Sequence, residues 1–159
     1  MKHFVKLLVV AGIVACGYIT SAMALDGVKK LQIKGSFEDV YFDLKNSIVN
    51  EGLVIDTVLH VSDMLNRTGK DVGSTKPVYL HGQTLGFCSA VLSRAAVEAD
   101  PENLVFCPYS IFIYEAVGTP KMITVGYRKL TGATNAQSEK ALGAINDLLD
   151  KIISNVSGD

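Results

Sequence analysis

The chain has 159 residues, with 15 basic and 16 acidic side chains almost in balance, and no run of Lys and Arg forms a stripe. Nucleic acid is therefore excluded as a natural partner, and a membrane-surface role has no support in the charge pattern. Lys29, Lys30 and Lys34 are interleaved with apolar residues, as on one face of a strand.

Residues 1–24 start with Lys2 and Lys6, continue through an apolar body at residues 7–19, and end in the small-residue tripeptide Ala22, Met23, Ala24. That is the layout of a secretory signal peptide. The apolar body is short for a membrane span, so cleavage after Ala24 and export, with a periplasmic location, are expected. A rival reading takes Ile13, Val14, Ala15 and Cys16 as a lipobox, with Cys16 lipidated and the chain anchored to the membrane. Taking 24 residues off 159 leaves 135, enough for one domain at residues 25–159 with a real core. Losing Lys2 and Lys6 leaves 13 basic residues against 16 acidic, a mildly acidic product at −3.

Residues 30–34 alternate Lys, Leu, Gln, Ile, Lys, which predicts a half-buried strand ended by Gly35. Ser36 followed by Asp39 resembles a capping box, and Phe37, Val40, Tyr41, Leu44 and Ile48 recur at helical spacing until Gly52. Residues 53–61 are rich in β-branched and apolar side chains and predict a second strand. Ser62 and Asp63 then cap a short helix ending near Gly69, and residues 71–76 form a loop. Residues 78–87 make a strand in which Gly82 and Gly86 imply a bulge or a close backbone approach. From Ser89 a helix with Val91, Leu92, Ala95, Ala96 and Ala99 on one face runs to Pro101.

Residues 105–115 form the strongest strand, with Pro108 at its start or on an edge, and residues 122–127 pair with it as a hairpin. The last helix, near residues 135–156, carries Ala141, Leu142, Ile145, Leu148, Leu149, Ile152, Ile153 and Val156 on one face. The fold expected is α+β: a two-layer arrangement with a mixed or antiparallel sheet of four or five strands, covered by helices, and an amphipathic C-terminal helix. The strand around Tyr109 to Tyr114 is apolar on both faces, which implies a second covering layer, either the chain's own helices or another copy in a homodimer.

Phe87, Cys88, Ser89, Ala90, then Glu98, Ala99, Asp100, Pro101, then Phe106, Cys107, Pro108, Tyr109 with Tyr114 and Glu115, form a block that resembles the domain of unknown function family 302. The similarity covers roughly residues 31–129. It implies a compact α+β fold that tends to pair into dimers, in a bacterial host, and it implies no particular activity.

Cys88 and Cys107 are the cysteines that survive processing. Cys88 precedes the cap residue Ser89, where helix N–H groups and the dipole favour a thiolate; the bland reading is a buried small hydrophobe. A Cys88–Cys107 disulfide would close a loop of about 20 residues, worth roughly 3 kcal/mol. The spacing is not Cys-x-x-Cys, and no haem-attachment motif exists. His60 and His81 are the histidines beyond the leader. A site of His81, Cys88 and Cys107 would suit copper or zinc, or give haem an axial ligand. Met64 and Met122 read as core filler, Glu98, Asp100 and Glu102 as a solvated turn, and Glu115 as an exposed strand end. No phosphate-cradling loop or Gly-x-Ser-x-Gly elbow occurs. Two functions follow from these residues. One is an exported, non-enzymatic binding module whose surface around His81, Cys88, Cys107 and Tyr109 holds a small apolar ligand, haem or a soft metal. The other is a thiol-dependent redox protein using Cys88 and Cys107.

Overall fold

The computed structural model describes residues 26–156; the expected signal peptide, with Cys16 and the expected cleavage site, lies outside the described residues. In chain order the elements are β1 (Val28–Lys34), α1 (Phe37–Asn50), β2 (Ile55–His60), α2 (Val61–Thr68), β3 (Tyr79–Phe87), α3 (Ala90–Ala99), a 3-10 helix (Pro101–Phe106), β4 (Tyr109–Ala116), β5 (Met122–Arg128) and α4 (Ala136–Ser154). The strands form one open sheet in the order β1-β5-β4-β3-β2, and every neighbouring pair is antiparallel. The fold is α+β. Because β1 and β2 lie at opposite edges, α1 has to cross the sheet to join them.

Local chemistry sets the helix limits. Ser36 Oγ accepts the Asp39 N–H at 3.1 Å and donates to the Asp39 carboxylate at 2.6 Å, so the Ser-Asp pair caps α1 as its spacing implies. Phe37, Val40, Leu44 and Ile48 turn inward from α1, and Leu142, Ile145, Leu149, Ile152 and Ile153 from α4. They join Leu85, Phe87, Ile111, Ile113, Ile123 and Val125 in one contiguous core on one face of the sheet. Ser47 on α1 donates to the Ile152 carbonyl at 2.8 Å, so the two helices are also tied by a buried hydrogen bond. Among the described residues, no helix is long and apolar enough to cross a membrane.

Four expectations need correction. The strand at residues 105–115 begins only at Tyr109, since Val105 and Phe106 belong to the 3-10 helix. Asp100 starts that turn by accepting the Glu102 N–H at 2.8 Å, and Pro101 supplies its first residue; Pro108, with no N–H to give, precedes the ladder. α2 follows β2 directly, with Ser62 buried inside the helix instead of capping it. On α3, Val91 is 77% exposed and Ala95 is also outward, while Leu92, Ser93 and Ala96 take the inward positions. Met64 is 43% exposed and is not core filler.

β4 alternates as a half-buried strand should. Tyr109, Ile111, Ile113 and Glu115 face the helices and are buried, whereas Ser110 is exposed and Phe112 and Tyr114 are half-buried on the other face. The chain's own helices thus supply a covering layer on one side. On the other side Phe112 stacks on Tyr114 with ring centroids 6.1 Å apart, and Tyr79 tilts against Tyr114 at 5.3 Å. These rings lie over glycines: a Cβ at Gly82 would meet the Tyr79 ring at 3.4 Å, and one at Gly126 would meet Phe112 Cζ at 2.6 Å and the Lys29 carbonyl. The β3 register slips between Tyr79 and His81, the bulge that Gly82 implies.

Gly126→Val should destabilise the protein by about 1–3 kcal/mol, because backbone and ring atoms occupy the space of the new side chain. Gly143→Ala, in α4 where a Cβ meets nothing within 4 Å, should stabilise it by about 0.5–1 kcal/mol. Denaturant midpoints of the two variants, moving in opposite directions, check both.

Candidate functional site

The two cysteines meet because β3 ends where β4 begins. The last ladder pair of these strands is Phe87 opposite Tyr109, so Cys88 and Cys107, one residue beyond and two residues before that pair, emerge at the same end of the sheet. The chain between them is spent on α3 and the 3-10 helix, which fold back over the core. Ser89 caps α3 by accepting the Leu92 N–H at 3.4 Å, which leaves Cys88 just outside the helix. Cys107 caps the other segment, its N–H donating to the Leu104 carbonyl at 3.0 Å. The Cys107–Pro108 peptide is cis.

The segment carrying Cys107 is fixed from below. Asn103 is only 5% exposed and donates through Nδ2 to the Ala96 carbonyl at 2.9 Å and to Ser138 Oγ at 2.7 Å. The 3-10 helix is thereby joined to both α3 and α4, and losing one partner would strand buried polar atoms.

Both cysteines are free thiols, partly exposed, and Cys107 lies near enough to Cys88 to influence its ionisation. Ser93, one turn into α3, faces them. Cys107 Sγ–H donates to Ser93 Oγ at 3.6 Å, and Ser93 Oγ shares a 2.7 Å hydrogen bond with the Tyr109 hydroxyl. The result is a four-residue cluster of Cys88, Ser93, Cys107 and Tyr109. Burial pushes the Cys88 thiol above its ordinary pKa, and the neighbouring Cys107 sulfur adds to the effect; the Tyr109 N–H and the Ser93 hydroxyl, which favour the thiolate, are outweighed. The expected thiolate-promoting helix start does not win at Cys88. Burial also pushes the Tyr109 phenol up to about 12, so it remains a neutral hydrogen-bonding group at physiological pH.

His81 is elsewhere. It pairs with Glu115 across β3 and β4, near the opposite end of the ladder from Phe87, about 20 Å away at the usual rise per residue. Its ring stacks on Phe37 with centroids 4.6 Å apart, and Nε2 lies 4.0 Å from Glu115 Oε2. Glu115 is 7% exposed, against expectation, because its carboxylate folds in to accept the Lys121 N–H at 2.7 Å across the β4–β5 turn. His60 stands with Asp63 at 3.9 Å. No group of three or more His, Cys, Asp or Glu suited to a metal ion occurs among the described residues. The three-donor arrangement of His81, Cys88 and Cys107 therefore does not form. Ser93 was not evident from sequence; its one signal is its place four residues after Ser89, on the same side of α3 as the cap.

The family model for "Domain of unknown function DUF302" matches residues 29–156, so the match includes α4 as well as the sheet. Among solved structures, the crystal structure of uncharacterized conserved protein DUF302 from Bacillus stearothermophilus is similar, with a TM-score of 0.67 at 13% identity, covering 83% of this chain and 99% of that one. At that identity the likeness is one of fold. No curated protein matches.

The thiol environment sets a pH signature. Alkylation of Cys88 by iodoacetamide, read by peptide mass, should rise about tenfold per pH unit above neutrality with no plateau below the ordinary thiol range. Ser93→Ala removes a group that favours the thiolate and should slow the reaction further at fixed pH. A plateau near pH 7 would contradict the environment described.

Proposed function

The chain belongs to the family described as Domain of unknown function DUF302, and from that premise, which fixes the fold and leaves the chemistry to this chain's own residues, we propose that it is an exported thiol–disulfide protein working through Cys88 and Cys107. The observation that carries this reading is the proximity of two free, partly exposed thiols at one end of the β3–β4 pair, where both lie beside Ser93. Export is supported by the leader-like residues 1–24, which would deliver the pair to a compartment where disulfides persist.

The exchange balances with an external disulfide as oxidant. One thiol gives its proton to solvent, its sulfur attacks the external disulfide, and the first external thiolate leaves. The second thiol then loses its proton and attacks the mixed disulfide, closing Cys88–Cys107 and expelling the second thiolate. Two protein thiols are oxidised, one external disulfide is reduced to two thiols, and reduction runs the same steps backward. The raised pKa of Cys88 slows its attack at neutral pH while proximity speeds the closing step, so the arrangement favours a resolved disulfide over accumulated mixed disulfides.

A second reading keeps the binding module. Two neighbouring thiols with no third strong donor beside them among the described residues suit a soft monovalent cation such as Cu(I), which accepts two thiolates; haem, which needed His81 or a thiolate facing an open cavity, is less well served.

Treatment with a small disulfide separates these. Wild type should pass to an intramolecular disulfide with little mixed species, while Cys88→Ser and Cys107→Ser each stop at a stable mixed disulfide, as read by intact mass. Wild type that accumulates mixed disulfide at both cysteines would refute the exchange reading. Stoichiometric Cu(I) retention by the reduced protein against a competing chelator would favour the second.

A further inference from the structure

Beyond the thiols, a cleft of about 270 Å³ opens between the 3-10 helix, the start of β4 and the segment following β5. Its apolar wall includes Val105, Phe106, Pro108 and Leu130, and its polar lining includes Arg128 and Lys129. Among the described residues, no carboxylate lines it. Neither cation is in an ion pair among the described residues, although Lys29, Arg94 and Lys151 each have one. Arg128 and Lys129 are consecutive in sequence and both line the cleft, so an anion held there is attracted by two positive charges.

Both walls are held in place. On one side Lys129 N–H donates to the Gly27 carbonyl at 2.7 Å. The Asn146 amide clamps Leu130, its Oδ1 accepting the Leu130 N–H and its Nδ2 donating to the Leu130 carbonyl, both at 2.9 Å. On the other side, Asn103 fastens the 3-10 helix to Ala96 and Ser138. The cleft is therefore formed before any ligand arrives, as small-molecule sites generally are, and its volume is just under their usual range of roughly 300 Å³ and upward. Val105 is 78% exposed at the rim, which leaves apolar surface available to a ligand's hydrocarbon part.

We propose that this cleft binds a small organic anion, its anionic head held by Arg128 and Lys129 and its apolar body against Val105, Phe106, Pro108 and Leu130. The site is independent of the thiol reading, since none of its binding groups is a cysteine. Arg offers a planar fork that fits a carboxylate through two hydrogen bonds, and Lys adds a point charge.

The test is a titration of full-length reduced protein with hexanoate, followed by amide chemical shifts and by calorimetry. Saturable binding is expected, with shifts concentrated at Val105, Ser110, Arg128 and Leu130. Hexanamide, which lacks the charge, and inorganic sulfate, which lacks the apolar body, should each bind at least about tenfold more weakly. The double variant Arg128→Gln with Lys129→Gln should lose about tenfold or more in hexanoate affinity; both side chains are exposed, and an unchanged melting curve would show that the fold is kept. The proposal is overturned by non-saturable shifts spread over the surface lysines, by sulfate binding as well as hexanoate, or by a folded double variant with wild-type affinity. Cys88→Ser with Cys107→Ser should bind hexanoate as wild type does, so this outcome and the exchange reading stand or fall separately.

Discussion

The backbone ladder between β3 and β4 is the constraint on which the rest of the molecule depends. It runs in unbroken register from His81 opposite Glu115 to Phe87 opposite Tyr109, and it lies at the middle of the five-stranded sheet. A slip of one residue would turn Leu85, Phe87, Ile111 and Ile113 from the helix layer to the opposite face, exposing side chains that are now 0% accessible. That penalty is what fixes the register. Since the register also decides which residues leave the sheet together, the hydrophobic core sets the distance between two sulfurs that lie nineteen positions apart in sequence.

The excursion between those positions is equally specified. α3 and the 3-10 helix would be a loose lobe without burial or bonding of their own, yet Ala96 and Leu92 join the core and Asn103 links the lobe to α4 through Ser138. Polar groups buried this way stabilise little in net terms, but leaving one unpaired costs about 1–3 kcal/mol. The lobe is thus held to one arrangement, and Ser93 and Tyr109 bring hydroxyls to the thiols at fixed positions. The electrostatic outcome is at Cys88: burial and the nearby Cys107 sulfur both oppose a negative charge there, and two weak donors do not reverse this. Under the proposed exchange, attack by Cys88 on an outside disulfide would be slow and closure within the pair favoured.

Much of the architecture was legible in the sequence because its signals are local. The period of two in β1, the Ser36–Asp39 cap, the stripe of α4 and the β4–β5 hairpin each rest on neighbours within a few residues, and each appears in the structure. The misreadings share a different cause. Val105 and Phe106 have the composition of a strand, but Asp100 and Pro101 commit them to a 3-10 turn. Val91 looked like an inward residue because helical spacing does not say which of two similar faces meets the core; Ser93 took that side, where polar partners await it. His81 is seven residues from Cys88, which suggests proximity, yet in a strand seven residues span about 23 Å. Glu115 was read as exposed from its place before a turn, and only the Lys121 N–H explains its burial. The meeting of Cys88, Cys107 and Tyr109 is long-range information, carried by strand order, and so are the fixed walls beside Arg128 and Lys129.

The effective concentration of the two thiols for one another tests the central claim most directly. It is obtained by equilibrating the protein with a thiol–disulfide buffer and measuring the fraction bridged, first native and then in denaturant. If the β3–β4 register holds the sulfurs close together, the native value should exceed the unfolded one by well over tenfold, the amount by which a fixed geometry improves on chance encounter of a flexible loop. A native value equal to or below the unfolded one would contradict it, because the fold would then be keeping the two cysteines apart.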